Sequence, residues 1–360
     1  MHQLWTIFEM QDIKFPVLVT GIGGGGHGEQ TLKALKLGKL DYFLVGADAN
    51  AQCANRHEVD HFELLPLARD PNYLEQVISL AQRFNCRAVF HGSEAEMMVF
   101  SHARERLMEN GIYVPVNPPS VMDICQDKAR TTKFLAARGI TVPAFREIKN
   151  IADCAEFDRF PAVIKPCAGG GSANVFIVQT KDELTFFSEY LLGIFDRFVI
   201  QEYVGTPEEE YTVGVLFGAD GEFINSIAIR RVINNALTIR TSVPNRSGRQ
   251  DLGDRLVIST GISQGHVAEW KEVRNQCERI ARLLQPRAPI NIQCRFVAGE
   301  VIPFEINPRF SGTTSLRALA GYNEPDVLVR RDVLGEQIET YFRYRDVLIL
   351  RGLKENVISI

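Results

Sequence analysis

The first third of the chain alternates short apolar runs with longer stretches in which apolar residues recur every three or four positions. The apolar runs predict strands at residues 15–20, 42–46 and 88–91, and the periodic stretches predict helices at 29–39 and 72–85. Strands that alternate with helices are typical of a parallel sheet covered on both faces. Prolines at positions 115, 118 and 119 indicate that this α/β unit ends near residue 118.

The rest of the chain has a less regular α+β pattern. A helix is predicted at 123–138, ending at Gly139, because glycine favours helix C-termini. Strands are predicted at 162–165, 175–178 and 198–202, around a helix at 181–192. From residue 210 the pattern is mainly strands, with helices at 266–284 and 317–334 and a closing strand at 346–350.

Two segments near the end, 290–296 and 301–309, alternate apolar and polar side chains. Successive side chains of a strand point to opposite faces, so each segment predicts a strand with one buried and one polar face. The residues between them predict a hairpin whose loop is about three residues long, from Ala298 to Glu300.

The polar face of this hairpin is the most informative feature of the sequence. With that loop, Gln293 lies opposite Glu305 and Asn291 opposite Asn307, and Arg309 continues along the same face. Oxygen ligands on neighbouring strands, beside a cation, suit a Mg²⁺–phosphate site. The alternative is a solvated hairpin face, since exposed polar faces are common in antiparallel sheets.

Composition and charge narrow the class of protein. The 360 residues carry a net charge of -4 and a pI near 6.0, which gives no electrostatic case for nucleic acid or acidic membranes as partners. Seven cysteines without a CxxC pair favour reduced thiols and a cytoplasmic location. No apolar run approaches the roughly 20 residues that span a bilayer. Residues 1–14 lack the basic and apolar segments of a secretory signal.

Lys165 ends an apolar strand and precedes a glycine-rich loop that contains Gly169, Gly170, Gly171 and Ser172. A lysine at the end of a buried strand suggests an anion, and consecutive glycines let backbone N–H groups approach phosphate oxygens. The loop is not a Walker A motif, because the lysine comes before the glycines. A flexible surface loop is the alternative interpretation.

Three further segments carry candidate nucleotide contacts. Lys128 lies near the start of a predicted helix, where a surface lysine is the ordinary explanation. Glu202, Tyr203 and Val204 end a strand at a predicted hinge, and their backbone could offer the donors and acceptors that an adenine edge needs. Glu210, in the next strand, could accept hydrogen bonds from two ribose hydroxyls. An acidic surface turn is the alternative.

These segments, in this order, resemble the ATP-grasp superfamily over roughly residues 123–345, and within it one half of the carbamoyl-phosphate synthase large chain. The resemblance implies a Rossmann-like N-terminal domain at 1–118 and a two-lobed ATP-grasp domain at 119–345. The small lid lobe would span about 145–205 and the large lobe 206–345, with a C-terminal closing strand in 346–360.

The resemblance also implies a set of functional residues. The ATP-binding set is Lys128, Lys165, Gly169, Gly170, Gly171, Ser172, Glu202, Tyr203, Val204 and Glu210. The metal-binding set, for two Mg²⁺ ions that Mn²⁺ could replace, is Gln293, Glu305 and Asn307. The catalytic residues would be Arg309 and Lys165. The resemblance allows a homodimer.

Two features of the chain depart from the pattern of the carbamoyl-phosphate synthase large chain. Gly214 stands where relatives often have an acidic residue, which puts substrate or metal contacts there in doubt. The chain contains neither a second ATP-grasp copy nor a glutaminase domain, so we do not expect complete carbamoyl-phosphate synthesis.

A competing signal lies near the N-terminus. Residues 21–26 fit GxGxxG after a strand, and Asp48 ends the second strand, where a ribose-binding acid lies in dinucleotide-binding folds. An NAD-dependent oxidoreductase is therefore an alternative, although GxGxxG alone is weakly specific.

Five residues are candidates for substrate binding. Arg230, Arg231 and Arg240 could each meet a carboxylate, because the planar guanidinium matches it in a bidentate way, and charged strand ends are the alternative. Glu94 lies just after the third strand and His27 just after the glycine-rich loop. Either could face the substrate, while a structural role for His27 is the alternative.

The sequence as a whole predicts an ATP-dependent ligase. It would join a small-molecule carboxylate to an amine, or less often a thiol, through an acyl phosphate, and release ADP and phosphate. A phosphotransferase on the same scaffold, the oxidoreductase above and a non-catalytic ATP-binding sensor are the alternatives.

Overall fold

A computed structural model describes residues 14–24, 26–171 and 173–353. The predicted alternation of strands and helices in the first unit is confirmed. Its elements are β1 (Phe15–Val19), α1 (His27–Leu35), β2 (Tyr42–Asp48), β3 (His61–Leu64), α2 (Tyr73–Arg83), β4 (Ala88–Phe90), α3 (Glu94–His102) and α4 (Arg104–Glu109). The strands form a parallel sheet in the order β3-β2-β1-β4. The sequence pattern missed β3, a short edge strand with no fully buried residue.

Two helices, not one, connect this unit to the next. They are α5 (Pro119–Cys125) and α6 (Lys128–Ala136), so the single helix predicted at 123–138 is wrong. The break is at Asp127, whose side chain accepts a hydrogen bond from the backbone N–H of Arg130 and thereby caps α6. Lys128 is consequently the first residue of α6.

The small lobe is an antiparallel sheet with one helix. Its elements are β5 (Phe145–Ile148), β6 (Ala162–Pro166), β7 (Phe176–Val178), α7 (Lys181–Leu192) and β8 (Phe198–Glu202), with strand order β5-β8-β6-β7. Leu184 and Leu191 of α7 are fully buried against the sheet, which gives the lobe its own core.

The large lobe is built on a six-stranded sheet in the order β15-β14-β9-β10-β13-β16. Its elements are β9 (Glu210–Phe217), β10 (Phe223–Arg231), β11 (Ile239–Pro244), β12 (Arg255–Ser259), β13 (Gly265–Ala268), α8 (Lys271–Arg282), β14 (Ile290–Val297), β15 (Glu300–Asn307), α9 (Thr314–Leu319), α10 (Glu324–Leu328) and β16 (Val347–Ile349). Strands β11 and β12 form a separate ribbon.

Two helix predictions in the large lobe need correction. The segment 266–284 begins as strand β13, and α8 starts only after Trp270, whose positive φ of 35° ends the extended backbone. The predicted helix at 317–334 is broken between α9 and α10. Gly321 has a φ of 96° there, and the side chain of Asn323 caps α10.

The hairpin of β14 and β15 has the predicted register, but its turn is shorter than predicted. Gln293 pairs with Glu305 and Asn291 with Asn307, as expected. The turn, however, contains only Ala298 and Gly299, both with positive φ, because Val297 pairs with Glu300. A bulge after Gln293 shifts the register by one residue and compensates for the shorter turn.

The N-terminal unit packs on the large lobe, and this contact positions the site. Asp326 of α10 accepts hydrogen bonds from the Tyr42 hydroxyl at 2.9 Å and from the backbone N–H of Lys39 at 3.0 Å. Apolar residues of β1 and α1 share one core with residues of β10 and α9. None of the helices in the described residues is both long and apolar enough to cross a membrane.

Candidate functional site

A cleft of about 870 Å³ lies between the small and large lobes. Most of the residues that the sequence singled out line it: Lys128, Lys165, Gly169, Gly170, Glu202, Tyr203, Val204, Glu210, Gln293 and Glu305. The sequence analysis did not single out most of the cleft's apolar walls or Arg295. The apolar residues include Val163, Val175, Val257, Ile258 and Phe304. A cleft with apolar walls and a few convergent polar groups is typical of a small-molecule site.

Two lysines meet at one end of the cleft. Lys165, at the end of β6, is buried, and its Nζ donates to the carbonyl of Phe304 at 3.0 Å. Burial lowers the pKa of Lys165 to about 8, against the opposing attraction of Glu305. Lys128 donates to the carbonyl of Gly169 at 2.6 Å, and its Nζ lies 3.8 Å from the Glu305 carboxylate. This end of the cleft can therefore receive an anion.

The glycine-rich loop covers these lysines. Gly169 and Gly171 have φ values of 101° and 68°, a conformation that residues with a side chain rarely adopt. Around Gly169 no atom lies within 4 Å of the position that a Cβ would take, so backbone conformation and not crowding requires glycine there. Ser172, predicted to belong to this loop, lies outside the described residues.

The predicted metal ligands face the lysines from β14 and β15. Glu305 keeps 24% of its side chain exposed and has Gln293 as its cross-strand partner. Asn307 follows on the same strand, and its Oδ1 accepts from Arg309 at 3.2 Å. In the described residues no three His, Cys, Asp or Glu side chains form a metal cluster. One carboxylate with amide oxygens still suits Mg²⁺ when nucleotide phosphates complete the coordination.

The opposite end of the cleft is the strand end 202–204. The backbone N–H groups of Glu202 and Tyr203 donate to the carbonyls of Ala144 and Pro161. The Tyr203 hydroxyl also donates to the carbonyl of Val257 at 3.1 Å. Among the described residues, the N–H of Val204 has no such partner, so Val204 is the best placed of the three to bind an adenine edge.

Glu202 has an ion-pair partner that the sequence analysis did not find. Arg249, in the segment between β11 and β12, donates to Glu202 at 2.8 Å. Arg246 of the same segment pairs with Glu183 in α7. The β11–β12 ribbon therefore bridges the two lobes at this end of the cleft.

Glu210 lies at the floor of the cleft in a buried ionic network. Arg231 donates to its Oε1 at 2.6 Å, Ser259 donates to the same oxygen at 2.6 Å, and Arg295 lies 3.4 Å from Oε2. Only 3% of the Glu210 side chain is exposed. The charge of this carboxylate is neutralised within the fold, and Arg231, a candidate for substrate binding, is engaged with it. Arg295 continues the polar alternation of Asn291 and Gln293 along β14, and this pattern could have identified it from the sequence.

The other two candidate arginines lie away from the cleft. Arg230 neighbours Arg231 on β10 and therefore points to the opposite face of the sheet, where its guanidinium lies 4.9 Å from the ring centre of Trp270. Arg240 is exposed on β11 and does not line the cleft.

The N-terminal unit contributes Glu94 and two histidines. Glu94 accepts from Nη2 of Arg309 at 2.9 Å and lies next to Gly170 of the glycine-rich loop. The rings of His27 and His91 pack edge to face with centres 5.3 Å apart. Burial lowers the pKa of His91 to about 3 and that of His27 well below its usual range, with Arg309 adding to both shifts. Both histidines are therefore neutral, and Glu94 is the group of the three that contacts Arg309 and the glycine-rich loop.

Asp48, which the dinucleotide interpretation requires for a ribose, has two backbone partners. Its Oδ2 accepts from the N–H of Gly23 at 2.8 Å and its Oδ1 from that of Asn50 at 2.9 Å. The carboxylate thus holds the glycine-rich turn after β1. Gly25 of that turn lies outside the described residues.

The structure provides a physical reason for Gly214. A Cβ at this position would lie 2.3 Å from Nη1 of Arg317, a fully buried arginine that pairs with Glu324 at 3.0 Å. Arg317 also donates to Oδ1 of Asn291 at 2.6 Å. Glu324 supplies the acidic group next to this arginine, and Gly214 leaves room for the pair.

Comparison with known proteins points to one family. A model of the ATP-grasp domain matches residues 125–313, which is more than half of the chain. An uncharacterised protein of Sinorhizobium fredii is 26% identical over 209 residues, or 55% of this chain and 39% of that protein. A D-alanine–D-alanine ligase of Bacillus anthracis is 36% identical over 111 residues, or 30% of this chain and 35% of the ligase. The chain therefore spans less than half the length of these curated relatives.

Solved structures share the fold at low sequence identity. N5-carboxyaminoimidazole synthetase from Staphylococcus aureus, complexed with ADP, has a TM-score of 0.64 at 16% identity, over 92% of this chain and 81% of that one. The biotin carboxylase domain of Hydrogenobacter thermophilus 2-oxoglutarate carboxylase, in complex with MgADP, has a TM-score of 0.61 at 16% identity, covering 93% and 72%. L-amino acid ligase from Bacillus licheniformis has a TM-score of 0.60 at 17% identity, covering 88% and 74%.

Proposed function

Because the chain belongs to the ATP-grasp family, we propose that it is an ATP-dependent ligase that joins a carboxylate to an amine or another nucleophile. One observation carries this proposal. In a single cleft, Lys128 and Lys165 lie under a glycine-rich loop and face Glu305 and Gln293. The names of a relative and of a structural neighbour, D-alanine–D-alanine ligase and L-amino acid ligase, support the same reaction class.

The nucleotide would lie along the cleft with its phosphates at the lysines. The backbone N–H of Val204 would bind the adenine edge, and apolar side chains such as Val163 and Phe304 would pack on the base. Glu202 and Tyr203 would shape this end, while Glu210 would reach the ribose only by giving up part of its pairing with arginine.

Magnesium would be held by Glu305, Gln293 and Asn307, and we propose two ions, for which Mn²⁺ could substitute. Bound there, the metal supplies positive charge that neutralises the phosphate oxygens. The chain's own contribution is to position it with hard oxygen ligands from two paired strands.

Catalysis would rest mainly on positioning and charge neutralisation. The substrate carboxylate attacks the terminal phosphorus of ATP, the bond to ADP breaks, and the resulting acyl phosphate is attacked by the nucleophile with loss of phosphate. Lys165 and Arg309 would stabilise the transferring phosphoryl group. The loop of Gly169, Gly170 and Gly171 would exclude water, which otherwise hydrolyses acyl phosphates.

The N-terminal unit would contribute to the substrate side. We propose that it is a Rossmann-like domain ending near residue 118, supported by its parallel sheet. The ATP-grasp domain would then occupy 119–345, with a small lobe at about 145–205, a large lobe to 345 and a closing strand in 346–360. Glu94 is the best-placed substrate contact of this unit because it already meets Arg309. A homodimer remains part of the proposal.

An ADP-release screen with Mg²⁺ and pairs of carboxylates and amines tests the proposed function. A ligase requires both co-substrates for sustained ADP release, whereas a phosphotransferase leaves the phosphoryl group on one acceptor and a sensor binds ATP without turnover. Glu305→Gln should abolish turnover and leave the fold intact, while Glu300→Gln, an exposed acid on the same hairpin, should not. Near-wild-type ATP consumption by the Glu305 variant would refute the assignment of Glu305.

A further inference from the structure

Arg351 lies just after β16, between the first helix and the loop that follows Arg309. Its Nη2 donates to Oε1 of Gln30 in α1 at 2.8 Å and to the carbonyl of Gly312 at 2.5 Å. Its backbone N–H donates to Oε1 of Gln264 at 3.0 Å. Arg351 therefore lies where the N-terminal unit, the large lobe and the closing strand meet, outside the residues that line the nucleotide cleft.

The guanidinium of Arg351 has no carboxylate partner among residues 14–24, 26–171 and 173–353. Its Nε is buried without a hydrogen bond, and both partners of Nη2 are neutral. Burial lowers the pKa of Arg351 to about 10, with only weak compensation from Glu29. Glu29 itself forms its ion pair with Lys33.

Arg351 is only partly buried, and its lack of a carboxylate contrasts with the fully buried arginines of the described residues, each of which pairs with one. The pairs are Arg231 with Glu210, Arg274 with Glu278, Arg295 with Glu210, Arg317 with Glu324 and Arg330 with Asp326. Burying a cation without a counter-charge is unfavourable, and a buried polar group without a partner adds to the cost. Within the described residues, the fold therefore leaves part of the hydrogen-bonding capacity of Arg351 unused.

We propose that Arg351 binds a carboxylate group of the second substrate, in the crevice formed by α1, the loop at 310–313 and the loop at 260–264. This inference rests on the proposed ligase function, because it assigns the anion to a substrate and not to the nucleotide. The Nη1 group, which has no hydrogen-bond partner among the described residues, can donate to an oxyanion, and guanidinium geometry suits a carboxylate. Gly312 follows Arg309 by three positions, so the carbonyl that Arg351 contacts belongs to the loop that starts at Arg309.

The surroundings of the two glycines at this crevice, Gly261 and Gly312, differ. No atom lies within 4 Å of the position that a Cβ of Gly261 would take, whereas a Cβ of Gly312 would lie 3.1 Å from the Gly261 carbonyl. The two loops therefore meet at Gly312, while the side of Gly261 is open.

Thermal unfolding of the full chain with saturating Mg–ADP tests this site, with succinate or inorganic phosphate titrated at constant ionic strength. We expect succinate to raise the Tm of the wild type in a saturable way. Arg351→Gln should weaken this response at least tenfold, and Arg351→Lys should restore it in part. Arg343→Gln, which removes an exposed arginine from the same segment, should respond as the wild type does. A response to phosphate alone would overturn the carboxylate assignment.

The same variants distinguish a ligand-binding arginine from a structural one. Because Arg351 has no counter-charge among the described residues, Arg351→Gln without succinate should unfold at the wild-type temperature or above it. A Tm several degrees lower, or failure to fold, would show that Arg351 is a structural tie and would overturn the inference. If the wild type binds Mg–ADP but does not respond to succinate, the inference fails and the proposed function stands. If it does not bind Mg–ADP, the proposed function itself fails.

Discussion

Replacement of Glu210 by Gln should destabilise the protein more than it weakens nucleotide binding. The substitution keeps the shape of the side chain but removes the negative charge that Arg231 and Arg295 share. The exposed fractions of the three side chains are 3%, 1% and 7%, so water cannot replace the lost charge.

The buried geometry sets the size of the effect. Breaking a buried ion pair by removing one partner costs about 3–5 kcal/mol, because the other charge is left uncompensated. The remaining amide can still accept from Ser259 and Arg231, which favours the lower end of that range. In a cooperative unit of about 150–250 residues, 1 kcal/mol corresponds to a Tm change of about 2–4 °C. We therefore expect Tm to fall by roughly 6–12 °C.

Two measurements separate the structural role of Glu210 from ribose binding. Differential scanning calorimetry without nucleotide measures the stability effect, and isothermal titration with Mg–ADP at a temperature where the variant is folded measures affinity. Glu208→Gln, an exposed acid in the preceding turn, is the matched control and should leave both unchanged. A Tm within 2 °C of wild type, with ADP affinity reduced tenfold or more, would refute the buried-network argument and favour direct ribose contact.

Three further outcomes follow from the geometry. Because the pKa of Lys165 is about 8, Mg–ADP affinity should weaken as pH rises from 8 to 9.5, and calorimetric titration should show no such loss for Lys165→Arg. Burial holds the pKa of His91 near 3 in the folded protein, whereas the unfolded chain has the usual value of 6.5. As the pH falls, the unfolded chain therefore binds the proton first. Stability should therefore fall by roughly 1.4 kcal/mol per pH unit below 6.5, and His91→Gln should reduce that slope in urea titrations. Gly214→Ala should cost about 1–3 kcal/mol by crowding Arg317, while Gly261→Ala, with open space around it, should cost little in the same titrations.

Much of the fold was predictable because the pattern of side chains reports burial directly. Strand β8 and helix α7 have the predicted bounds, since a short buried apolar run defines the strand and Thr180 caps the helix. The misses are places where one residue changes the backbone direction. Asp127 caps a second helix inside a continuous helical pattern, and Trp270 separates a strand from a helix.

The candidate site was predictable where motifs have a fixed local geometry and not where distant segments meet. The facing of Gln293 and Glu305 followed from strand alternation, although the bulge that preserves it was not visible in the sequence. The pairing of Arg249 with Glu202, and of Arg309 with Glu94, depends on segments 47 and 215 positions apart. Local periodicity carries no information about such contacts.

Charge pairing on the floor of the cleft explains why a metal site would lie at Glu305 and at no other acid there. On one side, Glu210 is neutralised by Arg231 and Arg295. On the other, Arg317 neutralises Glu324 and occupies Oδ1 of Asn291. Between these two networks, Glu305 pairs with Lys128 at 3.8 Å, attracts Lys165 from further away, and keeps a quarter of its side chain exposed. Since a cation binds where oxygen ligands are not already satisfied, we would expect the metal at this middle row of the sheet, with Asn307 of the next row beside it.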